Sequence, residues 1–201
     1  MRQLRATPSD FELRSGENGE MILEGYFAVY NSDYVIAPDM SESIAEGAFT
    51  RTINGGDIRA LINHDTTLVL GRTKSNTLEL REDSHGLFGR VVINPNDKDA
   101  TNLYARVQRG DVDGCSIGFE IPPGGEDSEV RADGSVHWTI KDIDLYEVSA
   151  CTFPAYQATN ISARSAERDD ILRHRSDAWK ERMKERLNHY GFESPCSSKE
   201  D

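Results

Sequence analysis

The chain has 201 residues, a formal net charge of −12 and 37% hydrophobic residues. No segment approaches the roughly 20 consecutive apolar residues of a membrane-spanning helix, and the polar N-terminal residues predict no secretory signal. The three cysteines, Cys115, Cys151 and Cys196, lack metal-ligand spacing, which predicts a reducing compartment without a disulfide framework.

The charge is unevenly distributed along the chain. Residues 161–201 carry nine basic and nine acidic side chains, so the whole net charge of −12 resides in the first 160 residues. An acidic surface repels a phosphate backbone, and the sequence therefore predicts no direct binding of nucleic acid.

Up to about residue 161 the chain has the pattern of strands and turns. Short alternating or apolar runs are separated by Gly, Pro, Asn and Asp, and they predict eight strands, at residues 21–30, 58–62, 68–70, 77–81, 86–93, 114–121, 136–140 and 144–152. Helical spacing predicts two short helices, at residues 43–53 and 101–109. The Pro- and Gly-containing acidic segment 122–134 is typical of an exposed, mobile loop. Many strands with few helices favour an α+β domain over residues 1–162, built on a closed or nearly closed β-barrel.

The remaining residues, 163–201, form a second predicted region. Apolar residues recur there at helical spacing and predict an amphipathic helix at about residues 165–190. This apolar stripe consists of Leu172, Trp179, Met183, Leu187 and Tyr190. Docking on the barrel or self-association is the favoured interpretation, and binding of another partner is the alternative. Residues 193–201 have the composition of a disordered end.

Acid–base and nucleophilic chemistry remain after the other classes are set aside. The histidines are isolated, and no glycine-rich run matches a phosphate or dinucleotide loop, so we expect no metal and no cofactor. His64 lies where a strand ends, and strand parity puts it on the apolar face of Ile58, Ala60 and Ile62. A partly buried imidazole there suits a general base, whereas the alternative is a histidine satisfied by a turn hydrogen bond.

Ser116 lies in a glycine-rich strand. It shares a strand face with Gly118, and the small neighbours leave room for a substrate carbonyl, with backbone amides at residues 114–116 as oxyanion donors. Cys115 is a competing nucleophile, but parity places it among buried side chains, where a thiol is inert. The alternative is an incidental serine in a glycine-softened strand.

Glu147 is a carboxylate in an apolar register. Parity groups it with Ile143, Leu145, Ser149 and Cys151, and a buried carboxylate needs a partner. An imidazolium would give it the orienting role of a catalytic triad, whereas Arg72 or another arginine would make it part of a structural ion pair. The sequence pattern leaves both partners open.

Seven short motifs occur in an order that resembles the prohead (capsid maturation) proteases of tailed bacteriophages, over about residues 25–161. They are Glu46-Gly47-Ala48-Phe49, Asn63-His64-Asp65, Leu70-Gly71-Arg72, Gly86-Leu87, Gly114-Cys115-Ser116-Ile117-Gly118-Phe119, Leu145-Tyr146-Glu147-Val148-Ser149 and Phe153-Pro154-Ala155. The resemblance implies serine endopeptidases with a β-barrel surrounded by short helices, related in fold to the herpesvirus assembly proteases.

The resemblance also implies site residues and partners. It implies Ser116 as the nucleophile and His64 as the base, and we assign the third role to Glu147, with Asp142 or Asp144 as alternatives. The implied substrate is the major capsid protein or its scaffolding segment, together with the protease itself, inside the immature prohead in the host cytoplasm. We expect a homo-oligomer. The alternative functions are a non-catalytic scaffold or assembly chaperone and a structural capsid component, and the chemically competent triad residues weigh against a degenerate relative.

Overall fold

The computed structural model describes residues 3–8, 11–16, 19–153 and 158–189. The chain divides into two compact units, Met1–Ile161 and Ser162–Asp201. The first unit contains thirteen strands and two α-helices among its described residues. The strands are β1 (Gln3–Pro8), β2 (Glu12–Ser15), β3 (Met21–Val29), β4 (Tyr34–Ala37), β5 (Met40–Ile44), β6 (Arg59–Ile62), β7 (Asp65–Arg72), β8 (Leu78–Glu82), β9 (Gly86–Ile93), β10 (Gly114–Glu120), β11 (Glu126–Val130), β12 (Val136–Ile140) and β13 (Asp144–Cys151). The helices are α1 (Thr50–Ile53) and α2 (Lys98–Arg109), and a short 3₁₀ turn covers Thr73–Ser75.

These strands form three sheets. The five-stranded sheet has the order β1-β10-β13-β6-β7, and the two four-stranded sheets have the orders β11-β12-β5-β4 and β2-β3-β9-β8. Most pairs are antiparallel, but β13 runs parallel to β6 and β12 runs parallel to β5. The predicted α+β class, mostly sheet with few helices, is confirmed.

A shared apolar core joins the sheets. Its members come from strands of the first unit, from α2 and from connecting segments, and they include Phe27, Leu103, Ile117, Phe119 and Ile140. Burial of such side chains contributes about 1.5–3 kcal/mol each to folding. Through Ile117 and Phe119 of β10, the five-stranded sheet packs against this core.

Helix α2 confirms the prediction of a helix at residues 101–109 and extends it by three residues at the N-terminus. The Asp97 carboxylate accepts hydrogen bonds from the amides of Asp99 and Ala100, which caps the helix. Gly110 ends it with a φ of +82°, a conformation that glycine adopts without strain.

Two predicted segments are wrong. Residues 43–53 do not form one helix, because the first of them belong to β5, which pairs in parallel with β12, and only Thr50–Ile53 is helical. Residues 122–134 are not simply a loop, because Glu126–Val130 pairs with β12 as an antiparallel edge strand. Its exposed, acidic residues lack the alternation that identifies a half-buried strand.

Most of α3 (Ala158–His189), a helix of 32 residues, lies in the second unit. Oppositely charged residues three positions apart line it, including Arg173 with Asp170 and Lys184 with Glu181. Within the apolar stripe, Trp179 is 57% exposed, while Leu172 and Met183 are half-buried. The side chain of Leu187, as well as Tyr190 and residues 193–201, lie outside the described part of the chain.

Among the described helices, none is both long and apolar enough to cross a membrane.

Candidate active site

His64 lies in a tight turn rather than on a strand. Strands β6 and β7 form a hairpin in which Ile62 pairs with Asp65, so Asn63 and His64 are the two turn residues. Both have a positive φ, 50° and 62°, as the favoured two-residue hairpin turn requires. The parity argument that placed His64 on the face of Ile62 is therefore wrong. A histidine in this conformation is uncommon and marks a position that its surroundings must hold.

Hydrogen bonds to β13 hold this turn. The Asn63 amide donates to the Ala150 carbonyl at 2.9 Å, and the Thr152 amide donates to Asn63 Oδ1 at 2.9 Å. The amide of His64 donates to Ser149 Oγ at 3.2 Å. The turn that carries the imidazole is thus fixed to the end of β13.

The structure brings His64 and Glu147 together. His64 Nδ1 lies 2.7 Å from Glu147 Oε1, and the Glu147 side chain is only 1% exposed. A carboxylate accepts hydrogen bonds, so Nδ1 carries the proton and Nε2 of the neutral imidazole is an acceptor. This tautomer is the one that a general base needs.

A bulge in β13 explains how a carboxylate fits an apparently apolar register. Glu147 pairs with Gly118, but Leu145 pairs with Phe119, so the register shifts between them. Directly paired residues share a sheet face, and the shift places Leu145 on the face opposite Glu147. The predicted grouping of Glu147 with Leu145 is wrong, whereas its grouping with Ser149 holds.

Ser116 occupies the neighbouring strand β10. It pairs with Ser149 on one side and with Ala6 of β1 on the other, so it shares the sheet face of Glu147 and Ser149. Its side chain is fully buried, and its Oγ has no hydrogen-bond partner among the described residues. The structure therefore places Ser116 beside the His64–Glu147 pair without bonding it to His64.

Cys151 is the residue that the sequence analysis did not assign to the site. Its Sγ lies 3.7 Å from His64 Nε2, on the side of the ring opposite Glu147. Burial and the nearby Glu147 carboxylate raise the pKa of the thiol to about 12, so the thiol is neutral at pH 7. The sequence did hold a signal for this position, because Cys151 lies at an alternate position of β13 from Glu147 and so faces the same side of the sheet.

Other candidate carboxylates and the candidate cation have different partners. Asp142 and Asp144 both contact the Arg51 guanidinium, at 3.0 and 2.7 Å. Arg72 makes two 2.6 Å hydrogen bonds to Asp57 rather than pairing with Glu147. Its guanidinium holds the pKa of Asp57 well below the usual range of an aspartate.

The surroundings of the Ser116 backbone differ from the predicted oxyanion loop. Residues 114–116 belong to β10, which has β1 on one side and β13 on the other, so their amides lie within the sheet. Cys115 is fully buried on the opposite face, paired with Ala150, as parity predicted. The described residues contain no group of three or more His, Cys, Asp or Glu side chains arranged to hold a metal ion.

Comparison with known proteins agrees with the motifs. The family model described as caudovirus prohead serine protease matches residues 9–173. The chain belongs to this family. The family expected from the seven ordered motifs is thereby confirmed.

Two relatives give the extent of the likeness. The prohead protease of Enterobacteria phage HK97 is 31% identical over 152 residues, which cover 74% of this chain and 62% of that protein. The chain thus spans less than two thirds of the length of this relative. The solved structure of the bacteriophage T4 capsid assembly protease, gp21, aligns with a TM-score of 0.49 and 14% identity, over 75% of this chain and 97% of that one.

Proposed function

We propose that this chain is a serine endopeptidase of phage head maturation. It cleaves the major capsid protein or its scaffolding segment, and itself, inside the immature prohead in the host cytoplasm. The observation that carries the proposal is the 2.7 Å contact between His64 Nδ1 and Glu147 Oε1 beside the strand of Ser116, in a member of the prohead protease family.

Each residue has one chemical role. His64 Nε2 takes the proton from Ser116 Oγ as that oxygen attacks the scissile carbonyl. Glu147 accepts the Nδ1 hydrogen bond and stabilises the imidazolium. His64 then gives the proton to the leaving amine, and a water molecule, activated by the same base, hydrolyses the acyl-enzyme. Asp142 and Asp144 are less suited to the third role, because Arg51 already engages both.

The attack step requires His64 Nε2 to contact Ser116 Oγ instead of Cys151. A neutral thiol is a weak hydrogen-bond donor, so replacing its contact costs little free energy. The Ser116 hydroxyl has no competing bond to break among the described residues. A side-chain rearrangement that brings His64 Nε2 to Ser116 Oγ therefore completes the triad.

The finer assignments of fold and assembly belong to the same proposal. The three sheets around one core are compatible with a barrel of the herpesvirus assembly protease type. We assign residues 1–162 to the protease domain and residues 163–201 to a helix and tail that mediate self-association. The apolar stripe supports that second assignment, because Trp179 is exposed and Leu172 and Met183 are only half-buried.

Co-expression with the phage's major capsid protein tests the proposal. Wild-type chain should shorten the capsid protein, and Ser116→Ala and His64→Ala should each abolish that cleavage. Ser43→Ala is the matched control, because Ser43 is likewise a buried serine, but it lies in another sheet, where its Oγ is 2.9 Å from His137 Nε2. Normal cleavage by Ser116→Ala would contradict the proposal. Normal shell assembly with no cleavage by the wild-type chain would favour the scaffold or chaperone function.

A further inference from the structure

Ser149 contacts both partners of the His64–Glu147 pair. Its Oγ donates a 2.6 Å hydrogen bond to Glu147 Oε2 and accepts the His64 amide at 3.2 Å. The residue is fully buried in β13. One hydroxyl therefore joins the backbone of the candidate base to the side chain of the candidate acid.

We propose that Ser149 is a positioning residue for catalysis, an inference that rests on the proposed function. It fixes the carboxylate of Glu147 and the turn of His64 relative to each other, and so sets the direction in which Nε2 faces Ser116. It does not touch the reacting atoms.

Two donors hold the carboxylate. His64 binds Oε1 of Glu147 and Ser149 binds Oε2, so the two hydrogen bonds together fix the plane of the buried carboxylate. Without the Ser149 hydroxyl, Oε2 of Glu147 loses this hydrogen bond, and the carboxylate can rotate about its side-chain bonds. The imidazole would follow, because its Nδ1 hydrogen bond moves with Oε1.

The turn needs the acceptor as well. His64 has a positive φ, which is uncommon for a residue other than glycine and persists only where contacts hold it. The His64 amide finds its acceptor in Ser149. The register of the sheet adds the third element, since Ser149 lies directly opposite Ser116. Ser149 is thus hydrogen-bonded to His64 and to Glu147, and it is the residue paired with Ser116.

Labelling of the purified full chain with a fluorophosphonate carrying a fluorophore tests this role. The rate of labelling reports the reactivity of Ser116, and the low-field proton resonance of His64 Nδ1–H reports the hydrogen bond to Glu147. Ser149→Ala should lower the labelling rate by about 10²-fold, the effect of a displacement of about 1 Å, and should shift or broaden that resonance. Ser149→Thr keeps the hydroxyl on a strand that favours β-branched residues, and it should restore both readouts to within a few-fold of wild type.

Ser43→Ala again provides the control, because it also deletes a buried hydroxyl that bonds to a histidine. It should lower the unfolding midpoint to a similar degree while the labelling rate and the Nδ1–H resonance stay unchanged. Wild-type labelling by Ser149→Ala, or an equal loss in Ser43→Ala, would overturn the positioning role. If instead Ser116→Ala labels as fast as wild type, the proposed function itself fails.

Discussion

Replacement of Glu147 by Gln tests the assignment of the third catalytic residue. The side chain is 1% exposed and accepts hydrogen bonds from His64 Nδ1 at 2.7 Å and from Ser149 Oγ at 2.6 Å. The substitution preserves the shape of the side chain but removes the charge. It also converts one of the two acceptors into a donor, which faces either the Nδ1–H of His64 or the Ser149 hydroxyl, whose own proton must then rotate away.

The expected loss follows from this geometry. Breaking a buried charge-assisted pair on one side costs about 3–5 kcal/mol, which corresponds to about 10²–10⁴ in rate if the cost is felt in the transition state. In the serine protease triad the equivalent Asp-to-Asn change lowers kcat by about 10⁴, because the wrong tautomer of the histidine is held. We expect Glu147→Gln to slow cleavage by about 10²–10⁴-fold.

The assay is a time course of major capsid protein cleavage by the purified chain, with folding checked by circular dichroism. Glu42→Gln is the matched control, because Glu42 is buried to the same degree but bonds to Arg5, away from His64. It should lower stability and leave the cleavage rate within a few-fold of wild type. An unchanged rate in Glu147→Gln, with a large loss in Asp142→Asn or Asp144→Asn, would refute the reasoning.

Three further predictions concern the thiol, the acid stability and the C-terminal unit. Iodoacetamide at pH 7 should not inactivate the chain, because the raised pKa of about 12 keeps Cys151 protonated; inactivation with alkylation mapped to this residue would contradict that. Asp57→Asn should lower the urea midpoint at pH 7. Because the pKa of Asp57 is depressed, its pairing with Arg72 stabilises the fold above about pH 4, and this contribution is lost as the pH falls through the folded-state pKa. The difference in urea midpoint between Asp57→Asn and wild type should therefore shrink at pH 2.5. An equal difference at both pH values would count against the ion pair. Deletion from Arg164 onward should leave a folded unit that self-associates less by light scattering, and an insoluble product would show that α3 is needed for folding.

The strands with strong local patterns could be predicted from the sequence. Residues 86–93 and 136–140 match β9 and β12 at both ends, because short alternating or largely apolar runs bounded by turn residues suffice to identify a strand. Strands whose pairing depends on distant residues could not be found in this way. In β5, Met40 pairs with Val136, and this long-range parallel pairing overrides the helical spacing of the residues that follow.

The site was predictable in its residue types but not in its geometry. The sequence alone pointed to His64, Ser116 and Glu147 as candidate residues, and the structure brings His64 and Glu147 into contact. The two-residue turn at His64 and the bulge before Glu147 both change strand parity. The turn contains no glycine or proline, and the glycine at the bulge, Gly118, lies on the partner strand rather than in β13. The contact of Cys151 with His64 Nε2 depends on that geometry and could not be derived from spacing alone.

Identification of the residue that reacts with a fluorophosphonate is the most direct test of the central claim. The purified full chain is labelled, digested and analysed by mass spectrometry, with His64→Ala labelled in parallel. The account predicts a single phosphonylated residue, Ser116, and loss of the label in His64→Ala. A label on Cys151 or Cys115, or equal labelling of Ser116 without the histidine, would contradict a His64-activated serine nucleophile.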